Sequence, residues 1–357
     1  MPRASLTELM ALSIVVAGLA PAAGCDTPAA PKEVAIDVAP AAPASAAESP
    51  SDEVSPRLLR RFQPLAAVAA PATPAEAAKV ALGRKLFHDK SLSSDGSIAC
   101  SSCHDLARFG ADGRATSLGV GGQVGARNAP TVLNAGAQFR MFWDGRAATL
   151  EEQAKGPVLN PGEMGMPDGE TVAKRLASSA EYRTLFARAF PDMEKPVTFD
   201  NYAIAIAAFE RTLVTRGRWD AFLEGDSSAL TAEEKRGLKT FLNAGCMVCH
   251  TGKMLGGSMY ERVGVVEPWP NQTDPGRYAV TKDEGDRMMF KVPTLRNIAE
   301  TAPYFHDGSA KTLDDAVRMM GKHQLGLELT PEEVSAIVVW LTSLTGRLPE
   351  PPRETAL

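Results

Sequence analysis

The sequence predicts an all-α protein with two domains and long ordered loops, and three observations lead to this fold class. Apolar residues recur at helical spacing in several segments, whereas the period-2 alternation typical of strands is almost missing. The 30 glycines and 26 prolines fall largely between those segments, where they favour loops. A length of 357 residues exceeds what one hydrophobic core usually supports, which favours two domains.

The composition excludes several classes of protein. A hydrophobic content of 44% is enough for a globular core and argues against a wholly disordered chain. The formal net charge is −5, from 38 Lys and Arg against 43 Asp and Glu. This balance argues against a nucleic-acid-binding protein, because that function needs a basic surface. Five cysteines, an odd number, indicate that one thiol has a different role from the others.

Residues 1–24 predict a secretory signal peptide of the lipoprotein type. Arg3 precedes an apolar run over residues 11–20, and small residues then lead to Cys25 in the sequence PAAGC. PAAGC is similar to a bacterial lipobox, which predicts a lipid anchor on Cys25. Cleavage that leaves Cys25 as a spare thiol is the alternative. Residues 25–60 are rich in Ala and Pro and predict a disordered tether.

Helix signals recur along the rest of the chain. Residues 74–90 predict a helix that Thr73 caps and a proline begins. Residues 200–215 are strongly apolar, which is typical of a core helix. Thr231 and Thr330 are each followed three positions later by Glu, a capping box. They predict helices that run to about residues 243 and 344.

Four of the cysteines form two copies of C-x-x-C-H, the attachment motif of c-type haem. Two cysteines at this spacing can each add to a vinyl group of one porphyrin, and the histidine then supplies an iron ligand. A disulfide or a zinc site is the alternative, but neither segment has a second ligand pair at zinc spacing. The sequence therefore predicts two covalently attached haem c groups and two cytochrome-c-like domains, at residues 61–225 and 226–357. The motif residues are Cys100, Cys103 and His104, and Cys246, Cys249 and His250.

Further motifs surround these two sites. They include LGRKLF (82–87), RNAPT (127–131), FWDGR (142–146), NPGEM (160–164), VPTLRN (292–297) and TAPYFHDG (301–308). Together they cover about residues 75–347 and resemble the bacterial di-haem cytochrome c peroxidases and the related MauG-type enzymes. The resemblance implies an exported, periplasmic enzyme that reduces hydrogen peroxide to water with electrons from a small cytochrome c or a cupredoxin. It also implies a homodimer and, with the lipobox, a protein tethered to a membrane.

The resemblance assigns roles around the N-terminal haem. Glu163 matches a carboxylate that moves a proton during O–O cleavage. Gln153 matches an amide that positions peroxide, and Trp143 matches an indole between the two haems that relays electrons. Peroxidases that need reductive activation carry an iron-capping histidine at the position of Val120. Since valine cannot bind iron, we expect an enzyme that is active without prior reduction.

The resemblance also assigns roles in the second half of the chain. Met320 matches the second axial ligand of the C-terminal haem iron, although the adjacent Met319 leaves the register open by one residue. A thioether ligand raises the reduction potential of a haem iron. His306 matches a residue beside the haem propionates. A calcium site is implied with ligands from Asn128, Thr301 and Pro303.

Two other functions fit the same motifs. A MauG-like enzyme would oxidise Trp or Tyr side chains of a partner protein, and such enzymes carry tyrosine where this chain has Met320. An electron carrier would need both irons fully ligated by protein, which Val120 does not provide. The peroxidase is therefore the favoured prediction.

Overall fold

The structure, a computed structural model, describes residues 54–349 as helices joined by long loops, with little sheet. This agrees with the predicted helical class. The predicted signal peptide, Cys25 and the first part of the predicted tether lie outside the described residues. Within residues 54–349, no helix combines the length and apolarity needed to cross a membrane.

The α-helices, in chain order, are α1 (Pro56–Leu59), α2 (Pro74–Phe87), α3 (Cys100–Cys103), α4 (Leu150–Leu159), α5 (Gly169–Ser178), α6 (Ala180–Ala189), α7 (Phe199–Glu210), α8 (Arg218–Leu223), α9 (Ala232–Asn243), α10 (Tyr278–Thr281), α11 (Leu313–Met319) and α12 (Pro331–Thr342). Strands β1 (Tyr260–Arg262) and β2 (Met289–Lys291) pair antiparallel, with Tyr260 opposite Lys291. A π-helical turn, Met320–Leu325, continues directly from α11.

The predicted helix starts are confirmed, and threonine caps explain them. Thr73 Oγ1 accepts a hydrogen bond from the backbone N–H of Glu76 at 3.2 Å at the start of α2. Thr231 and Thr330 form complete capping boxes at the starts of α9 and α12. The helix predicted for residues 200–215 ends at Glu210 instead. Beyond this end, Thr215 N–H donates to the side-chain Oδ1 of Asn134 at 2.8 Å and not to a helix carbonyl.

The first hydrophobic core lies where α2 crosses α7, with α4 and α6 packed alongside. Leu82, Leu86 and Phe209 are among its buried side chains. The crossing is close because α2 presents Gly83 to the backbone of α7. A Cβ at Gly83 would clash with the carbonyl oxygen of Ala205, so only glycine allows this approach.

The second core repeats this arrangement with α9 and α12. Here Gly237 of α9 faces the carbonyl oxygen of Ala336, and a Cβ would again clash. Trp219, Phe241 and Trp340 fill the core around this crossing. Two glycine-mediated helix crossings therefore organise the two halves of the described chain.

The predicted end of the tether is wrong. Residues 54–60, the last part of the predicted tether, include α1, and Val54 is only 5% exposed. Val54 and Phe62 belong to the second core, together with Trp219. Apolar side chains of this segment dock on a distant part of the chain, which composition alone does not show. Residues 54–349 lie in one compact unit, and the division into two haem domains stays a prediction.

Candidate active site

The first C-x-x-C-H motif forms the single-turn helix α3 and the residue after it. The backbone N–H of Ala99 donates to Ser102 Oγ at 3.0 Å and holds the start of this turn. His104 is half-buried, and its Nδ1 lies 3.2 Å from the carbonyl oxygen of Gly110. With Nδ1 as donor, Nε2 keeps its lone pair for a metal. Burial lowers the pKa of His104, which favours the neutral, metal-binding imidazole.

A cavity of about 780 Å³ opens beside this motif. Its volume lies within the range of roughly 300–1,000 Å³ typical of cofactor sites. The cavity is lined by both thiols and the imidazole of the motif and also by the predicted catalytic side chains. These residues are Cys100, Cys103, His104, Trp143, Gln153 and Glu163. The attachment residues and the predicted catalytic residues are thus brought together around one space, and they fit a haem c.

Glu163 is held in this cavity by its own loop. Asn160 Nδ2 donates to Glu163 Oε1 at 2.7 Å, and the backbone N–H of Glu163 donates to the carbonyl oxygen of Asn160 at 3.0 Å. Burial raises the pKa of Glu163, and the hydrogen bond from Asn160 offsets only part of this effect. Gln153 reaches the same cavity from α4. A carboxyl with a raised pKa beside an amide suits proton transfer and substrate positioning.

The loop that carries Val120 packs against the Glu163 loop. The backbone N–H of Val120 donates to the carbonyl oxygen of Glu163 at 2.8 Å. The side chain of Val120 is 7% exposed and faces Gly165, where an added Cβ would lie 3.0 Å from Val120 Cγ2. Leu118 and Gly119 of the same loop line the cavity. Position 120 therefore contributes an apolar contact beneath the loop.

The second C-x-x-C-H motif has the same histidine geometry. Cys246 begins a short 3₁₀ turn, Cys246–Val248, and His250 Nδ1 lies 3.0 Å from the carbonyl oxygen of Leu255. Burial lowers the pKa of His250, as at the first motif. Cys246 packs against the second core, whereas Val248 is 72% exposed. The donor set and its orientation fit a second haem c.

Met320 lies in an aromatic cluster in the second half of the chain. Trp269, Met288 and Phe290 form the buried centre of this cluster, and Met319 and Met320 both pack against it. Met320 begins the π-helical turn that follows α11. The structure thus places two adjacent thioethers beside aromatic rings, and Met320 remains the predicted iron ligand.

Trp143 and His306 connect the cavity to this cluster. Trp143 lines the cavity and also packs against the Trp269 cluster. Its Nε1 donates to the carbonyl oxygen of Asn128 at 2.9 Å, and its ring lies 6.3 Å from the His306 ring. His306 is 3% exposed and stacks on Phe290 at 4.1 Å. His306 Nε2 is buried without a hydrogen-bond partner among residues 54–349, as expected for a group that meets a cofactor.

The segments predicted to bind calcium meet at one point. The backbone N–H of Asn128 donates to the carbonyl oxygen of His306 at 2.8 Å, which joins the 128 region to the 301–308 loop. Asn128 Nδ2 donates to the carbonyl oxygen of Arg114 at 2.9 Å, so its Oδ1 remains as an acceptor. Thr301 and Pro303 lie in that loop. The oxygen ligands predicted for calcium therefore come from two segments that touch.

Three polar residues of the cavity region are missing from the sequence prediction, and two of them, Lys291 and Glu210, are buried. Asn160 belongs to the NPGEM motif, but the motif alone does not predict its hydrogen bond to Glu163. Lys291 contacts Gln138 Oε1, and burial lowers its pKa to about 8. Glu210 lines the cavity from α7. For Lys291 and Glu210 the sequence does carry a signal: each is a single charge in an otherwise apolar run, MMFKV for Lys291 and AIAAFE for Glu210.

The helical fold and the two C-x-x-C-H motifs are typical of c-type cytochromes. A family model described as "Di-haem cytochrome c peroxidase" matches residues 77–228. The "Cytochrome c551 peroxidase" of Nitrosomonas europaea is 48% identical over 291 residues, which cover 81% of this chain and 85% of that protein. The chain therefore belongs to the di-haem cytochrome c peroxidase and MauG family, which confirms the resemblance found in its motifs.

Members named after MauG are more distant. The "Methylamine utilization protein MauG" of Methylorubrum extorquens is 35% identical over 271 residues, 74% of this chain and 76% of that protein. The crystal structure of a MauG-like protein associated with microbial copper homeostasis is 31% identical, with a TM-score of 0.68. It covers 78% of this chain and 93% of its own. Identity is thus higher to the relative named as a peroxidase.

Proposed function

We propose that this protein is a di-haem cytochrome c peroxidase. It reduces hydrogen peroxide to water with electrons from a small cytochrome c or a cupredoxin, as H₂O₂ + 2e⁻ + 2H⁺ → 2H₂O. The observation that carries the proposal is the cavity in which the first haem-attachment motif meets Gln153 and Glu163. The 48% identity to a relative named cytochrome c551 peroxidase supports it.

The two haem groups would be held by matching sets of residues. Cys100 and Cys103 would bind the N-terminal haem covalently, and His104 would bind its iron. Cys246, Cys249 and His250 would hold the C-terminal haem in the same way. When bound, these haems supply iron that takes up peroxide at one site and stores electrons at the other.

Glu163 and Gln153 act on the peroxide itself. The Gln153 amide positions peroxide by hydrogen bonding. The Glu163 carboxylate takes the proton from the near oxygen of peroxide and returns it to the far oxygen, which then leaves as water. Asn160 keeps the carboxylate oriented through its 2.7 Å hydrogen bond. A raised pKa makes this carboxyl a better base than an exposed one.

The second half of the molecule handles electrons. Met320 would bind the iron of the C-terminal haem, and this thioether would close that site to peroxide and raise its reduction potential. Trp143 lines the cavity and also packs against the Trp269 cluster, as Met320 does. This is a suitable place for an electron relay. His306, with its unpaired Nε2, would bind a haem propionate.

The N-terminal haem site is open to peroxide in the oxidised enzyme, before any electron has arrived. Val120 stands where activation-dependent relatives carry a capping histidine, and its side chain faces Gly165. The enzyme therefore works without prior reduction.

Calcium and location complete the proposal. Asn128 Oδ1 with the carbonyl oxygens of Thr301 and Pro303 would bind Ca²⁺ where the two segments touch. The protein would be exported to the periplasm and tethered by a lipid on Cys25, since the N-terminus is similar to a lipobox. It would act as a homodimer, as the family resemblance implies.

A MauG-like activity on Trp or Tyr of a partner protein is the second candidate. Val120 in place of a capping histidine is compatible with this activity. Met320 favours the peroxidase, because MauG-type enzymes carry tyrosine there. Steady-state reduction of peroxide with reduced small cytochrome c separates the two. We expect turnover by the oxidised enzyme as isolated, at the same rate as after pre-reduction. Failure to turn over with any small donor, together with rapid oxidation of a partner protein, would favour the MauG-like activity.

A further inference from the structure

Glu210 is a buried acid in the N-terminal haem cavity that the proposed mechanism does not use. It is the last residue of α7 and is 5% exposed. Ile206, one turn earlier, lines the same cavity. Tyr202, another turn back, is completely buried beside Cys100. These three residues follow each other at four-residue spacing, so one face of α7 lies along the haem cavity.

The surroundings of Glu210 leave its carboxyl without a partner. Among residues 54–349 no side chain or backbone group forms a hydrogen bond with it. From α4, Glu151 faces it, and Arg211 follows it in the chain. Arg211 and Glu151 form a salt bridge with each other at 2.7 Å, so the Arg211 charge is already paired with a carboxylate. The neutral side chains of Tyr202 and Cys100 also face the Glu210 carboxyl. Within the described residues, no charged group of α2, α5 or the turn at 135–137 acts on this carboxyl.

We infer that Glu210 supplies protons to the cavity in which peroxide is reduced. The inference rests on the proposed function, because each peroxide consumes two protons. Glu163 only returns the proton that it takes from peroxide, so these two protons must come from another source. Glu210 gives its proton to an oxygen of peroxide as that oxygen is reduced to water, becomes a carboxylate, and regains a proton from solvent before the next donation.

The electrostatics support this role. Burial raises the pKa of Glu210 to about 8; the charge of Arg211 offsets part of this effect, and Glu151 adds a smaller upward contribution. At neutral pH the carboxyl is therefore largely protonated and can act as a donor. It loses this proton as the pH rises through about 8, so donation fails on the alkaline side. Glu163 behaves in the opposite way, because it works as a carboxylate.

The test compares Glu210→Gln and Glu210→Asp with the wild-type enzyme and with Glu170→Gln. Glu170 gives a matched Glu-to-Gln control, since its side chain is 76% exposed on α5. We expect wild-type turnover to fall on the alkaline side with a midpoint at about pH 8. Glu210→Gln should lose about tenfold at neutral pH, less than the ~10²–10⁴-fold contributed by a positioned acid–base group, and should lack this alkaline limb. Glu210→Asp should keep the limb.

A spectroscopic readout makes the test independent of turnover. Cyanide added to the oxidised holoenzyme should shift the infrared C=O band of a protonated carboxyl in the wild type, Glu163→Gln and Glu170→Gln. The shifted band should disappear in Glu210→Gln. A Glu210→Gln enzyme with the wild-type pH profile and the wild-type band would overturn the inference. Loss of peroxide turnover in the wild type would instead refute the proposed function, while the infrared band would still test Glu210.

Discussion

The two C-x-x-C-H sites share one pentapeptide pattern but lie in different environments. Both histidines point Nδ1 at a backbone carbonyl, Gly110 O for His104 and Leu255 O for His250. Each half also contains a helix crossing built on one glycine. The first site, however, faces a cavity with Gln153 and Glu163, whereas the predicted ligand of the second lies among aromatic rings.

The C-x-x-C-H motif provides the attachment of the cofactor, and the residues around the motif determine what the cofactor does. A polar cavity with an unpaired acid suits peroxide and protons. An apolar cluster with a thioether suits an iron that only exchanges electrons. Trp143 touches both environments and so links the two tasks.

Removal of the Glu163 carboxylate should abolish most of the chemistry at the first site. Glu163→Gln keeps the shape and the hydrogen bond to Asn160 but cannot accept a proton. We expect kcat to fall by ~10²–10⁴-fold, with the visible spectrum of the C-terminal haem unchanged. Steady-state peroxide reduction measures this, with Glu170→Gln as the control. A loss below about threefold would show that Glu163 does not carry the proton.

Removal of a buried charge should weaken the second half of the molecule. Arg296 Nη1 lies 2.7 Å from Asp220 Oδ2, and both side chains are 1% exposed. Arg296→Met leaves Asp220 buried without its cation, which should cost about 3–5 kcal/mol in the free energy of unfolding. Denaturant titration measures the change. Arg236→Met, on the partly exposed side of α9, should cost much less, and equal losses would contradict the assignment.

The two helix crossings should respond alike to an added methyl group. Gly83→Ala and Gly237→Ala each place a Cβ against a backbone carbonyl oxygen. We expect each variant to lose about 1–3 kcal/mol of stability, since the helices must move apart. Gly285→Ala, in a surface turn, is the control. If only one crossing variant is destabilised, the two halves are not built on equivalent contacts.

The pH dependence should separate the two cavity acids. Burial raises the pKa of Glu163, so its active carboxylate is lost as the pH falls through that raised value. We expect kcat/KM to decline on the acid side above the ordinary carboxyl range, by up to about tenfold per pH unit. Glu163→Gln should lack this acid limb, whereas Glu210→Gln should retain it. Retention of the limb in Glu163→Gln would assign it to another group.

Local signals made part of this molecule predictable. Thr73, Thr231 and Thr330 mark helix starts through short-range hydrogen bonds, and the haem motifs are contiguous. Packing over long sequence distances was not predictable in this way. Phe62 docks beside Trp219, and Glu210 turns toward a cavity built largely from residues 98–164. Such contacts depend on how helices cross, which a single sequence specifies only through the whole fold.

The most direct test of the division between the two sites is the electron paramagnetic resonance spectrum of the resting ferric enzyme. Val120 in place of a histidine and Met320 as a ligand predict one high-spin signal from the N-terminal haem and one low-spin signal from the C-terminal haem. Peroxide added without prior reduction should remove the high-spin signal first. Two low-spin signals at rest, with reactivity appearing only after reduction, would contradict the account.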